Sequence, residues 1–292
     1  MRKLQYLLFA AILVLTACNS NSRKGKTLTV TIEPQRFFLE KLVGDAYHIN
    51  VLVPPGTSPE AYDPVPLAMT NLSKSEMYFK VGNLGYEVAW ARDLARNNPD
   101  VKIVDCSKGM KMIFGEEHEH DEEVGGHSHV AMADPHVWSS PKTAKQFVKN
   151  MYRALLFSEK DGVALYKKNH ETLEKLIDDT DKKVEEILAN VPSRSFIIYH
   201  PALSYFAQDY NLKQYSIEDQ GKSPSPAQMK ELTDLARHEN IKVIFVQKEF
   251  DTKNAEILAK EIGAKIYTIN PLAYEWDKET IRIADILAGK AE

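Results

Sequence analysis

The chain has 292 residues, of which 27% are charged, and its formal net charge is −4. This length is sufficient for one large or two modest α/β domains with proper cores. A slight excess of acid argues against the basic surface that nucleic-acid binding requires, so no nucleic-acid partner is expected. After the N-terminal region, no segment approaches the length of apolar sequence that spans a bilayer.

Residues 1–17 have the features of a secretory signal. Two basic residues precede an apolar run at residues 6–15, which is too short to cross a bilayer as a stable helix. Residues 15–18, Leu-Thr-Ala-Cys, are typical of a bacterial lipoprotein signal, in which Cys18 becomes the lipidated first residue of the mature chain. The alternative is an ordinary signal with a stray cysteine. Cleavage would leave 35 basic and 41 acidic side chains, a net charge of about −6.

Residues 18–26 are polar and lack apolar periodicity, which predicts a flexible tether between the lipid and the folded body. Cys106 is the only other cysteine. Once Cys18 carries lipid, no internal disulfide can form, and a cysteine-based zinc site is excluded. The predicted protein is therefore extracytoplasmic and anchored to a membrane through its N-terminus, in the periplasm or at the cell surface.

From residue 27 to residue 157, strands and helices alternate, which predicts a first α/β lobe. Strands are predicted at 28–32, 49–53, 77–81 and 101–106, and helices at 35–43, 67–73, 87–96 and 142–157. Within this lobe, residues 115–130 are rich in acid and histidine and lack apolar periodicity, so they are predicted to form a mobile loop.

The segment 158–190 contains a predicted helix of about 30 residues, from 161 to 190, which suits a rigid connector. Residues 191–292 repeat the α/β alternation as a second lobe. Strands are predicted at 195–199, 213–217, 242–247 and 265–269, and helices at 201–210, 225–239 and 252–262. Such alternation favours mostly parallel sheets, whose ligand sites lie at the carboxyl ends of the strands.

Three residues at strand ends or in loops are candidate metal ligands: Glu60, His136 and His200. They come from both lobes, so a cleft between the lobes could gather two imidazoles and a carboxylate around one divalent cation. This set suits zinc and tolerates manganese or iron. The spacing of the three residues along the sequence is by itself a weak indication of a metal site. It fits equally well a solvated loop acid at Glu60 and two histidines that are polar residues at the starts of helices.

Four more histidines lie among acids in the predicted loop, and their spacing suits a weak, exchangeable metal site: His118, His120, His127 and His129. A flexible loop loses conformational entropy when it binds. The alternative is a merely solvated acidic loop. The remaining histidines, His48, His170 and His238, are predicted to be surface residues.

Large aromatic residues, Trp90, Trp138, Tyr205 and Phe206, are predicted to belong to the core and the cleft wall. A sugar-binding function, which would use such rings as a platform, therefore ranks below metal binding.

Several motifs along the mature chain are specific in combination. They include Leu-Val-Pro-Pro-Gly at 52–56, Tyr-Asp-Pro at 62–64, Ala-Asp-Pro-His-Val-Trp at 133–138, Gly-Lys-Ser-Pro-Ser-Pro at 221–226 and Asn-Pro-Leu at 270–272. With these motifs the sequence resembles the zinc and manganese ABC-transporter substrate-binding lipoproteins of cluster A-I. That family includes zinc-uptake binding proteins and adhesin-type lipoproteins.

The resemblance implies two α/β lobes joined by one long helix, with a buried metal in the cleft between them. It also implies a permease and an ATPase as partners, Zn²⁺ as the transported ligand with Mn²⁺ or Fe²⁺ as alternatives, and a metal-collecting role for the histidine-rich loop. The expected protein is a monomer without enzymatic activity.

The resemblance extends to individual residues. His136 and His200 stand where the zinc-type members have histidines, whereas Glu60 replaces the usual first histidine. At the fourth position many members carry an aspartate and this chain has Asn270. Asp63, Glu218 and a water are alternative fourth ligands.

Two other functional classes remain as alternatives. A Glu, His, His set with one water also occurs in zinc hydrolases, but the chain lacks a His-Glu-x-x-His sequence. The second alternative is a surface adhesin that uses the same fold to contact host or matrix proteins.

Overall fold

The computed structural model of the protein describes residues 25–114, 133–158, 162–218 and 221–290. These residues form two lobes, each built on a parallel sheet of four strands. The predicted α/β class and the parallel sheets are confirmed. The predicted signal, Cys18 and most of the tether lie outside the described residues, as do the four loop histidines His118, His120, His127 and His129.

The first lobe carries a sheet with the strand order β2-β1-β3-β4. Its strands are β1 (Thr27–Val30), β2 (His48–Val51), β3 (Met77–Lys80) and β4 (Lys102–Asp105), and its helices are α1 (Glu33–Val43), α2 (Pro66–Leu72), α3 (Gly85–Asn97) and α4 (Pro141–Ser158). Gly44, whose φ of 59° favours glycine, ends α1. Both faces of β3 are buried, with Phe79 in one apolar cluster and Tyr78 in another.

The second lobe repeats this plan with the strand order β6-β5-β7-β8. Its strands are β5 (Ser195–Ile198), β6 (Lys213–Ser216), β7 (Val243–Gln247) and β8 (Lys265–Ile269), and its helices are α6 (Ser204–Asp209), α7 (Pro226–His238), α8 (Lys253–Ile262) and α9 (Trp276–Leu287). Alternate residues of β5 and β7 enter two different apolar clusters, since side chains alternate across a strand: Phe196 and Phe245 lie on one face, Ile197 and Ile244 on the other.

One long helix, α5 (Val163–Leu188), connects the two halves. Its first half contributes Tyr166, Leu173 and Ile177 to the main apolar cluster of the first lobe. Its last turns contribute Val184 and Leu188 to a cluster of the second lobe. The helix is therefore part of both cores, and it packs against α1, α4 and α9.

Helix α9 was not predicted from the sequence, although it closes the second lobe and reaches the first. Its first residue, Trp276, is buried against Phe38 of α1 with ring centroids 5.0 Å apart. The indole N–H of Trp276 donates a hydrogen bond of 2.7 Å to the carbonyl oxygen of Trp138. The two lobes thus share an aromatic interface in addition to α5.

One histidine prediction is wrong. His170 is buried, because its ring stacks on Tyr152 of α4 with centroids 4.0 Å apart, whereas His48 and His238 are exposed as predicted. The amphipathic face of α5 places residue 170 toward α4, and a flat aromatic ring covers it there.

Within the described ranges, no helix has both the length and the apolar composition needed to cross a bilayer.

Candidate metal site

Three of the sequence-predicted residues meet at the boundary between the lobes. Glu60 lies in the loop between β2 and α2, His136 directly precedes the 3-10 turn Val137–Ser139, and His200 follows β5 by two residues. One side-chain donor atom of each lies within 4.8 Å of the others. The loops after β2 and β5 leave the carboxyl ends of their strands, which is where parallel α/β sheets place ligand sites.

The separations between the donor atoms fit a small divalent cation. The Nε2 atoms of His136 and His200 are 3.3 Å apart, and the Glu60 carboxylate oxygens lie 3.4 Å from His136 Nε2 and 3.0 Å from His200 Nε2. Zinc ligands bind at about 2.0–2.1 Å, so two tetrahedral ligands are separated by roughly 3.4 Å. The two imidazole nitrogens and the Glu60 carboxylate are therefore spaced like three ligands of one zinc ion.

Each histidine is oriented by a carboxylate on the far side of its ring. His136 Nδ1 lies 2.9 Å from Asp134 Oδ1, and His200 Nδ1 lies 2.7 Å from Glu218 Oε1. An ionised carboxylate only accepts hydrogen bonds, so Nδ1 carries the proton in both rings. Nε2 is then the atom that each ring offers to a metal, and the carboxylate increases its basicity.

Further contacts fix the position of His200. The side-chain amide of Gln247, at the end of β7, accepts from the His200 backbone N–H at 3.3 Å and donates to the His200 carbonyl oxygen at 2.6 Å. The Phe250 ring stacks on the imidazole with centroids 5.3 Å apart. The neighbouring strands β5 and β7 therefore hold this side chain from both the backbone and the ring face.

The Asp134–His136 segment is tied to the second lobe through Tyr205 of α6. The Tyr205 hydroxyl donates to the carbonyl oxygen of Asp134 at 2.9 Å and accepts from the backbone N–H of Ile113 at 3.2 Å. Phe114 and Ala133 form an antiparallel bridge just outside this contact. The stem of the predicted histidine-rich loop is thus closed next to the site.

The charges of the site favour a cation. Burial opposes the ionisation of Glu60, but the hydrogen bond with His200 and the nearby His136 outweigh it and hold the pKa of Glu60 below its usual value. Burial likewise opposes the charged form of His200, yet its hydrogen bonds with Glu218 and Glu60 raise its pKa to about 9. Three carboxylates, those of Glu60, Asp134 and Glu218, therefore surround two imidazoles, and a divalent cation can replace the proton.

A small cavity of about 20 Å³ adjoins the two imidazoles. Its walls include Pro59, Trp138 and Phe250. This volume holds about one water molecule.

The predicted core and cleft-wall aromatic residues are buried in three cases, Trp138, Tyr205 and Phe206, and Trp90 packs on the edge of the first core.

The suggested fourth ligands lie in different places. Glu218 faces Nδ1 of His200, the side opposite the cluster. Asn270 follows β8, and its side-chain oxygen accepts from the Leu272 backbone N–H at 3.1 Å, so that it stabilises its own turn. Asp63 is exposed. Among the described residues, neither Asp63 nor Glu218 joins the group formed by Glu60, His136 and His200.

Sequence reasoning missed the residues that support the histidines, chiefly Asp134, Gln247 and Phe250. The acid two positions before His136 was a usable signal, since a carboxylate at that spacing can turn back onto the ring. Gln247 and Phe250 are more than 40 residues from His200 in sequence. They meet it only because β5 and β7 are neighbours in the sheet.

The sequence matches the family model of the zinc-uptake complex component A, periplasmic (ZnuA), over residues 28–281. The chain belongs to the ZnuA family. The match includes both lobes, the connecting helix and the three clustered residues.

Known members of the ZnuA family and their relatives resemble this chain along most of its length. It is 30% identical over 280 residues to the high-affinity zinc uptake system protein ZnuA of Bacillus subtilis (strain 168), covering 91% of this chain and 87% of that protein. It is also 30% identical to the zinc-binding lipoprotein AdcA of Streptococcus pneumoniae (strain ATCC BAA-255 / R6), covering 96% of this chain but 57% of AdcA. This chain therefore spans little more than half of AdcA.

Solved structures agree with this assignment. A crystal structure of ZnuA superposes with a TM-score of 0.82 and 33% identity, covering 90% of this chain and 98% of that one. A Zn(II)-bound mutant variant of AdcAII from Streptococcus pneumoniae superposes with a TM-score of 0.79 over 92% of this chain and 99% of that one. Because its sequence identity is only 20%, this superposition shows that the two chains share a fold and nothing more.

Proposed function

We propose that this protein captures Zn²⁺ outside the cytoplasm and delivers it to an ABC-type importer. The observation that carries the proposal is the meeting of Glu60, His136 and His200 at distances of 3.0 to 3.4 Å. Membership of the ZnuA family and the similarity to a protein named for high-affinity zinc uptake support the same function.

The donor set favours zinc but also tolerates other divalent metals. Two imidazoles and one carboxylate suit Zn²⁺, while the extra carboxylate makes the site harder and so more tolerant of Mn²⁺ or Fe²⁺. The Nδ1 partners Asp134 and Glu218 add negative charge around the ion. Zn²⁺ is the proposed cargo, and the cavity beside the histidines offers space for a water as a fourth ligand.

The captured Zn²⁺ is proposed to pass from this protein to membrane partners. A permease and its ATPase are the proposed partners, because the family model describes a component of a zinc-uptake complex. We infer that Cys18 carries the lipid that keeps the protein at the membrane, and the relative AdcA is described as a zinc-binding lipoprotein. The histidine-rich loop is proposed to collect metal near the cleft. Binding, and not turnover, is the proposed role of the cluster.

A zinc titration of the purified protein tests the ligand assignment. Structural sites with four ligands bind Zn²⁺ with a free energy of roughly 10 to 16 kcal/mol. The loss of one ligand is therefore expected to weaken zinc binding by roughly 100-fold. We expect this weakening for His136→Ala and for His200→Ala in competition with a chelator. His238→Ala, which removes an exposed histidine, is the matched control. Parent-like zinc affinity in both site variants would show that the ion binds elsewhere.

The physiological metal is tested separately. Elemental analysis of protein purified without added metal, followed by competition between Zn²⁺ and Mn²⁺, is expected to show zinc bound in preference. A deletion strain is expected to grow poorly under zinc limitation and to recover when zinc is added. Recovery with manganese alone would instead assign the protein to manganese uptake.

A further inference from the structure

Two neighbouring pockets share part of their walls. The first is the cavity of about 20 Å³ that adjoins His136 and His200. The second, of about 240 Å³, lies between the lobes and is lined by the exposed residues 54–56 of the first lobe and by Tyr274 of the second. The larger pocket thus reaches the surface, while the smaller one reaches the metal-binding cluster.

Glu249 and Leu272 line both pockets. Leu272 offers only an apolar surface. Glu249 is the one ionisable side chain that the two linings share, and it is partly exposed. Glu249 therefore lies where the larger pocket meets the cavity beside the histidines.

The position of Glu249 is fixed relative to the cluster by its neighbours in sequence. Gln247, two residues earlier, holds both backbone polar groups of His200. Phe250, the next residue, stacks on the His200 ring. The side chains on both sides of Glu249 thus contact His200, so this carboxylate belongs to a structured wall of the site.

The carboxylate of Glu249 is also available for a cation. It forms no hydrogen bond or ion pair with any residue in the described part of the chain. The other carboxylate that lines the larger pocket, Glu33, is paired with the guanidinium of Arg36 at 3.3 Å. Glu249 does not join the close group of Glu60, His136 and His200. Its place is therefore on the path to the site and outside the final coordination shell.

We propose that Glu249 is an access carboxylate, which attracts the hydrated divalent cation from the interlobe pocket and passes it to His136 and His200. This inference rests on the proposed function, since it assumes that the cluster binds zinc. A carboxylate on such a path exchanges with waters of the hydrated ion and lowers the barrier for its passage in both directions. It therefore changes the rates of binding and release more than the affinity.

The test is stopped-flow zinc binding followed by tryptophan fluorescence, because the Trp138 ring lies 5.2 Å from the His136 ring. The variants are Glu249→Gln and Glu249→Asp, and the control is Glu231→Gln, which removes one exposed carboxylate from α7 away from both pockets. Rates are measured at low and at high salt, and circular dichroism verifies folding.

At low salt, Glu249→Gln is expected to slow zinc association by a factor of about 3 to 10, and high salt is expected to reduce that difference. Dissociation is expected to slow by a similar factor, so that Kd changes by less than about threefold. Glu249→Asp and Glu231→Gln are expected to bind at rates near those of the parent.

Two results would overturn the proposal. Equal association rates for Glu249→Gln and Glu231→Gln would show that the ion does not use this path. Unchanged association with faster dissociation would show that Glu249 is a ligand in the bound state. Absence of zinc binding by the parent protein would instead refute the proposed function itself, so the two failures are distinguishable.

Discussion

The hydrogen bond between Glu218 and His200 gives the most informative single substitution. Glu218 is buried, and its Oε1 lies 2.7 Å from His200 Nδ1 on the side of the ring that faces away from Glu60 and His136. Glu218→Gln keeps an acceptor oxygen of nearly the same shape but removes the negative charge. The ring therefore stays oriented, while its Nε2 becomes a weaker donor to the metal.

The expected magnitude follows from this geometry. Removal of a carboxylate partner of a metal-bound histidine typically weakens metal binding by about 10- to 100-fold. Because glutamine retains the acceptor, Glu218→Gln is expected at the lower limit, about 10-fold or roughly 1.4 kcal/mol. Glu218→Ala loses both the charge and the acceptor, so about 100-fold is expected for it.

Chelator competition measures the affinities, and X-ray absorption at the zinc edge measures the coordination shell. Glu218→Gln is expected to leave the number and type of zinc ligands unchanged, as is the surface control Glu231→Gln. A changed shell in Glu218→Gln would identify Glu218 as a direct ligand. Unaltered affinity in both Glu218 variants would refute the view that this hydrogen bond supports the site.

Three further predictions test other parts of the molecule. Glu60→His is expected to increase the preference for zinc over manganese by about tenfold in metal competition, because it replaces a hard oxygen donor by an imidazole; a gain in manganese binding would contradict this reasoning. Deletion of residues 116–129 is expected to remove weakly bound zinc and to retain one tightly bound ion in a calorimetric titration, since the bridge between Phe114 and Ala133 already closes the stem. Loss of the tightly bound ion would place a primary ligand in the loop. Trp276→Ala is expected to lower the free energy of unfolding by about 3 to 5 kcal/mol in denaturant titrations, because it leaves a buried cavity next to Phe38. Trp276→Phe is expected to be less destabilising, and equal stability of the two variants would contradict the packing argument.

Much of the fold was predictable because most of its strands and helices are regular and well separated along the sequence. The apolar segments at 195–199 and 242–247 were predicted as strands, and the structure has strands Ser195–Ile198 and Val243–Gln247. Their burial on both faces leaves a continuous apolar run, which is a strong signal. Helix α9 was missed although its apolar residues have helical spacing, and its role depends on Trp276, whose partner Phe38 lies far away in sequence.

The three clustered residues were predictable, whereas the second layer around them was not. Glu60, His136 and His200 are polar residues at the ends of strands or in loops, and the family motifs surround them. Gln247 and Glu249 carry no local signal, since their importance comes from the pairing of β5 with β7. His170 was wrongly predicted to be exposed, because sequence periodicity does not show that the Tyr152 ring covers it.

The continuity of α5 has a consequence for the folding thermodynamics of the protein. Tyr166, Leu173 and Ile177 belong to one core, while Val184 and Leu188 belong to the other. Neither core can come apart without exposing part of a helix that the other core needs, so the two lobes are expected to melt in one cooperative transition. A ligand held at their boundary then stabilises the entire body of the protein, and not only the lobe that supplies most of its contacts.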